Sequence, residues 1–220
     1  MKYLIFDAGP LINFSMNDSL YLLEKLKKEF KGEFLITKEV KKEVIDTPLE
    51  IKRFELEALR MNEIFKKGII KHADISEKQV DELREKRNKL MEIANTTFKT
   101  KGKDIHLIDK GESAALALSE MLGYAPLVVD ERTTRMLCEN PENLRKLLEK
   151  KLHSSIQANR NNYKFFEKFK IIRSTELAFI AYKKGMIELK DPRTLDAILY
   201  GLKLKGCSIS EDEVEEMKKL

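Results

Sequence analysis

Short apolar runs alternate with long amphipathic stretches, and that alternation constrains the fold more than any other feature of the chain. The strands that they predict are residues 2–6, 33–36, 126–129 and 170–173. Each gives way to turn or capping residues and then to apolar positions at helical spacing. This order predicts an α/β fold with a parallel sheet, because a helix must carry the chain from the end of one strand to the start of the next. The expected architecture is a central parallel sheet of four or five strands flanked by helices. Ile69-Ile70 is the candidate fifth strand, at an edge.

The helical stretches have recognisable limits. Residues 18–31 carry an apolar stripe of Leu20, Leu22, Leu23, Leu26 and Phe30, with Gly32 as the stop. Thr37 caps a helix bearing Val40, Glu43 and Val44, which Asp46-Thr47-Pro48 breaks. Long helices are expected over 49–67 and 76–98, then a basic loop over 97–103. Asp109-Lys110-Gly111-Glu112 has the pattern of a capping box opening a helix that is apolar nearly all round. Pro126-Leu127-Val128-Val129 follows as a buried strand ending in Asp130-Glu131.

Composition narrows the function classes. The charged fraction of 36% exceeds the usual ~25%, and the net charge of +5 permits nucleic-acid binding without demanding it. Cys138 and Cys207 lie far apart, and His72, His106 and His153 are isolated, so no zinc spacing or disulfide framework is present. No apolar segment reaches the length of a membrane span, and the N-terminus lacks a signal-peptide pattern. A soluble cytoplasmic protein without a membrane partner is expected.

The acidic residues carry the chemistry. Asp7 closes the first apolar run and Asp130 the third. In open parallel sheets, ligands bind outside the carboxyl ends of the strands. Glu43 lies in the helix after the second run, and Glu112 in the first turn of the buried helix. Asp7, Glu43, Glu112 and Asp130 can therefore meet at one edge of the sheet. Like charges so placed need cations. Carboxylates without His or Cys suit Mg2+ or Mn2+, which activate water and stabilise charge in phosphoryl chemistry. Asp7, Glu112 and Asp130 are the expected metal ligands. Plainer roles stay open: Asp7 as a helix cap, Glu112 as the partner of Asp109, and Glu43 as a solvated residue beside Lys41 and Lys42.

Four motifs appear in order: Phe6-Asp7-Ala8-Gly9-Pro10-Leu11-Ile12, Thr37-x-x-Val40-x-x-Glu43-Val44, Asp109-x-Gly-Glu-Ser-Ala-Ala-Leu-Ala-Leu, and Val128-Val129-Asp130-Glu131-Arg132-x-x-Arg135. Together with Ser174-Thr175-Glu176-Leu177 and the tail Gly206-Cys207-Ser208-Ile209-Ser210, the chain resembles a PIN-domain protein of the branch that includes VapC-type toxin ribonucleases. The resemblance covers roughly residues 1–45, 104–138 and 170–210. It implies a three-layer PIN-like fold in a single domain, with helical insertions at about 49–103 and 139–169. It also implies a metal-dependent endoribonuclease, acting in RNA processing or as a toxin, with Asp7, Glu43, Glu112 and Asp130 as its acidic residues. Glu131 would assist. Ser174 or Thr175 would hold a phosphate or a water near the metal. The alternative is a PIN-like RNA-binding or assembly protein without catalysis. One departure stands out: Gly9 occupies a position where the family often has Ser or Thr.

Basic residues supply the expected RNA contacts. Residues 139–173 hold nine Lys or Arg against four Glu, a surplus equal to the net charge of the chain. Arg160 and Lys164 are candidates there, with Arg135 nearby in sequence and Lys99, Lys101 and Lys103 in the basic loop. Phe165, Phe166 and Phe169 read mainly as core. Expected partners are an RNA substrate, an antitoxin protein if the role is that of a toxin, and a second copy of the chain in a homodimer.

Overall fold

A computed structural model describes residues 2–220. Strand β1 (Tyr3–Phe6) leads into α1 (Ala8–Met16) and α2 (Tyr21–Phe30). Strand β2 (Glu33–Ile36) leads into α3 (Lys38–Lys41), which widens into a π-helical turn over Lys42–Asp46. Helix α4 (Glu55–Lys66), strand β3 (Ile70–His72) and helix α5 (Glu77–Asn95) follow. The next elements are β4 (Phe98–Thr100), β5 (Lys103–Asp104), α6 (Lys110–Met121) and β6 (Leu127–Val128). The chain ends with α7 (Arg132–Glu139), α8 (Pro141–Leu152), β7 (Gln157–Ala158), β8 (Ile171–Ile172), α9 (Ser174–Lys183), α10 (Thr194–Lys205) and α11 (Glu211–Lys219).

The main sheet has five strands in the order β3-β2-β1-β6-β8, and every neighbouring pair is parallel. Alternation along its strands builds two cores. Leu4, Phe6, Phe34, Ile36 and Val128 face one side, where α1, α2, α4, α9 and α10 pack. Ile5, Leu35, Leu127 and Val129 face the other, against α5 and α6. Successive residues of a strand point to opposite faces, so both faces of a parallel sheet must be apolar. The result is the expected helix–sheet–helix sandwich.

Several boundaries differ from the sequence reading, each for a local reason. Lys31, not Gly32, takes the left-handed conformation that ends α2 (φ 52°). Gly32 is required instead by close approach, since a Cβ there would lie 2.6 Å from the Lys2 carbonyl oxygen. Helix α4 starts at Glu55, because residues 48–50 form a separate 3-10 turn. The edge strand expected at Ile69-Ile70 does form, as β3 at Ile70–His72, within the stretch 49–103 read as a helical insertion. The basic loop 97–103 is an antiparallel hairpin whose strand β4 also pairs with β7, and β7 interrupts the helical region expected at 139–169. Phe166 and Phe169 are buried in the second core, as expected of that aromatic run. Among the described residues, no helix is long and apolar enough to cross a membrane.

Candidate functional site

From β1 the sheet order runs through β2 and β3 in one direction and through β6 and β8 in the other. The reversal between β1 and β6 is the topological switch point, and it opens a crevice beyond the strands' carboxyl ends. Asp7 directly follows β1, and Asp130 lies two residues beyond β6. Parallel pairing of Ile5 with Leu127 and Phe6 with Val128 holds the two ends level. The sheet itself thus brings together the two acids that close the first and third apolar runs.

Both are buried, at 6% and 1% exposure. Asp7 occupies the cap position of α1, yet its carboxylate makes no capping hydrogen bond. Burial first, and then the charge of Glu112, raise its pKa from 3.8 to about 7; Glu43 adds to the rise, and the Ala8 and Gly9 amides oppose it. Asp130 is held firmly. Its Oδ1 accepts from the Ser174 backbone N–H at 2.8 Å, and its Oδ2 accepts from Asn13 Nδ2 at 2.5 Å. Its carbonyl accepts from the Ser208 N–H at 2.9 Å, which ties the C-terminal tail to the site. Burial, and next the charge of Asp130, push the Cys207 thiol up to about 12.

Glu112 serves two purposes. Its Oε2 accepts from the Asp109 backbone N–H at 2.6 Å, completing the capping box of α6. Its Oε1 accepts from Thr134 Oγ1 at 3.2 Å. Burial is the main cause that raises its pKa. Glu43 sits in the π-helical turn and is exposed, though the surrounding protein still raises its pKa, with Asp109 adding to the effect. Its Oε2 lies 3.4 Å from where a Cβ on Gly111 would be, so the π-turn and the start of α6 touch. Glu131 caps α7 by accepting from the Thr134 N–H at 2.6 Å.

Among the described residues, none of Asp7, Glu43, Glu112 and Asp130 has a Lys, Arg or His within ion-pair distance. Nor do any three His, Cys, Asp or Glu side chains stand close enough to enclose a metal ion. The donor set suits a hard cation: carboxylates only, two of them buried and all without a counter-charge. Enclosing an ion would require these side chains to turn inward.

The expected nucleic-acid contacts divide. Ser174 and Thr175 are fully buried, so neither offers a surface to a phosphate. Ser174 serves Asp130 through its amide, and Thr175 Oγ1 faces Cys207 Sγ at 3.6 Å. Arg135 pairs with Glu139 at 3.2 Å and reaches the Ser208 carbonyl at 3.4 Å, a structural role. Lys101 and Lys103 are exposed on the hairpin, while Lys99 pairs with Asp104 at 3.2 Å. Arg160 pairs with Glu142 at 3.4 Å, and Lys164 Nζ stands 5.4 Å from the Phe165 ring centroid. Pairing of β4 with β7 brings the hairpin beside the segment that leads into the 3-10 turn at residues 160–165, which carries Arg160 and Lys164.

A family model described as PIN domain matches residues 3–143, well over half of the chain. The chain belongs to the PIN-domain family. No curated protein and no solved structure gives a match. PIN domains are typically nucleases that use divalent metal ions. The match spans β1 to the start of α8 and so includes all four acids of this PIN-domain protein. The last sheet strand, the amide on Asp130 and the docked tail come from beyond it.

Asn13 is the site residue that sequence reasoning missed. The available signal was an amide amid the apolar positions of α1, on a helix that starts at Asp7. Gly9, the family departure, lies between the two aspartates. A Cβ there would meet Asp130 Cβ at 3.8 Å and Asp7 Oδ2 at 3.9 Å, both ordinary contacts, and its φ is not positive. Gly9→Ser is therefore expected to fold and to gain about 0.5–1 kcal/mol from reduced backbone freedom in the unfolded chain. Urea denaturation checks this; a loss of stability would mean that the hydroxyl does not fit between the aspartates.

Proposed function

We propose that this PIN-domain protein is a metal-dependent endoribonuclease that hydrolyses RNA phosphodiester bonds with Mg2+ or Mn2+. The observation that carries the reading is the placement of Asp7 and Asp130, buried and without a counter-charge, at the switch point of the sheet. A bound divalent ion would neutralise these acids, polarise the phosphodiester and make water a better nucleophile. Asp7, Glu112 and Asp130 would hold it, with Glu43 at the exposed side. Asn13 and the Ser174 amide fix the orientation of Asp130. The hairpin lysines Lys101 and Lys103, with Arg160 and Lys164, offset the repulsion between RNA and an acidic cleft.

We read the chain as one PIN-like domain whose additional segments fall at about 49–103 and 139–169. Either a toxin held by an antitoxin or an RNA-processing enzyme fits this chemistry, and a neighbouring antitoxin gene would distinguish them. A second reading, RNA binding without catalysis, is favoured by one observation: no three of the acids are gathered around a common point among the described residues.

Incubation with single-stranded RNA decides between the two. Cleavage is expected with Mn2+ or Mg2+, none with EDTA, and at least a 100-fold slower rate in Asp130→Asn. RNA binding without metal-dependent cleavage would select the second reading.

A further inference from the structure

An apolar groove of ≈ 560 Å³ runs along α1 beside the acidic cleft. Ile12 and Met16 form one wall, one helical turn apart, while Ile51 and Phe54 form the other. All four are exposed, Phe54 at 42%. Four large apolar side chains gathered in one exposed groove offer a contact surface for a ligand. Glu43 lines the same groove, so it is continuous with the proposed catalytic acids. At a rise of 1.5 Å per residue, Ile12 and Met16 lie about 8 Å and about 14 Å along α1 from Asp7, roughly the reach of two to four stacked nucleotides at ~3.4 Å each.

The chemistry of the walls selects the occupant. Glu43 and Glu57 both line the groove, which disfavours phosphate inside it. Neutral, flat, apolar groups are favoured. At the rim, the exposed Arg53 guanidinium carbon stands 5.4 Å from the Phe54 ring centroid. Among the described residues Arg53 has no ion-pair partner; Glu55 pairs with Lys52 and Arg60 with Asp18. An exposed aromatic ring with an unpaired arginine beside it is a combination that stacks bases and meets the adjoining phosphate.

We propose that this groove takes the unpaired bases of a single-stranded RNA, with Phe54 as the stacking platform and Arg53 at the backbone. The direction of the strand toward Asp7 rests on the nuclease reading; base binding in the groove does not. Substrates would then need unpaired nucleotides next to the scissile bond.

The test is fluorescence anisotropy of the full chain with a labelled 12-nucleotide single-stranded RNA in EDTA, where cleavage is silent. Phe54→Ala is expected to weaken binding about tenfold, and Phe54→Trp to retain it. An abasic residue, placed at each position in turn, should weaken binding to the parent at one or two positions and leave Phe54→Ala unchanged there. Equal affinity of parent and Phe54→Ala, or indifference to abasic residues, overturns the proposal. So does a dimer that Phe54→Asp converts to monomer with RNA affinity unchanged, since a second copy would then cover the groove. Base-dependent binding without any Mn2+-dependent cleavage would retain the groove and reject the nuclease reading; cleavage without base dependence would do the reverse.

Discussion

Asp7→Asn is expected to make the metal-free protein more stable at pH 8 while abolishing metal-dependent cleavage. The Asp7 carboxyl ionises near 3.8 when exposed and at about 7 in the fold, chiefly because it is buried and next because Glu112 is close. Between these values the folded chain keeps a proton that the unfolded chain has released. Stability therefore falls as pH rises from about 4 to about 7 and is level above that. The gap corresponds to about 4 kcal/mol as a ceiling. Asparagine still buries a polar amide, so a gain of about 2–3 kcal/mol is expected at pH 8, or roughly 5–10 °C in melting temperature, shrinking to nothing near pH 4. Mn2+ should stabilise the parent more than the variant, because Asp7→Asn removes one of the three carboxylates that would hold the ion. Thermal melts from pH 4 to 8, with EDTA or Mn2+, measure all of this. If Asp7→Asn instead lost stability at pH 8, Asp7 would be a structural helix cap rather than a cation ligand.

The ease of reading Asp7 and the difficulty of reading its supports have the same physical origin. Strands β1 and β2 announce themselves because three or four apolar residues in a row, buried on both faces, leave a signal in composition alone. An acid at the end of such a run is conspicuous. Strands β5 and β7 have two residues each, too few for any periodicity, and β7 exists because β4 offers it hydrogen bonds. Hence the hairpin 98–104 read as a loop. The capping box of α6 was legible because both partners lie within four residues, and Glu112 proved to be capping residue and cleft residue together. Ser174 stood out as a hydroxyl after a strand, but what reaches Asp130 is its backbone amide, which carries no sequence signal. Asn13 acts across 117 residues on Asp130, and nothing local marks such a partnership.

That partnership gives the second large effect. Asn13→Ala is expected to cost about 2–3 kcal/mol, or roughly 5–10 °C, and at least tenfold in cleavage rate. Asp130 is 1% exposed, so water cannot replace the Asn13 amide at Oδ2. A buried carboxylate oxygen left without a donor bears a desolvation cost that folding does not recover. Freed from Asn13, the carboxylate keeps only the Ser174 amide and can rotate away from Asp7. Asn13→Asp should be worse at neutral pH, because it sets two carboxylates against each other at 2.5 Å. The exchange Asn13→Asp with Asp130→Asn then isolates the contact. Residue 130 would still accept from the Ser174 amide through its carbonyl and would now donate to the carboxylate at 13, so the hydrogen bond is kept with its direction reversed. The double variant should recover at least 1 kcal/mol relative to the sum of the single changes, measured by urea denaturation. It should nonetheless stay inactive, since the charge now stands behind the amide and away from the cleft. Recovery of stability without recovery of cleavage would separate what Asp130 does for the fold from what it does for chemistry; failure to recover stability would show that the Asn13 contact does not hold this carboxylate in place.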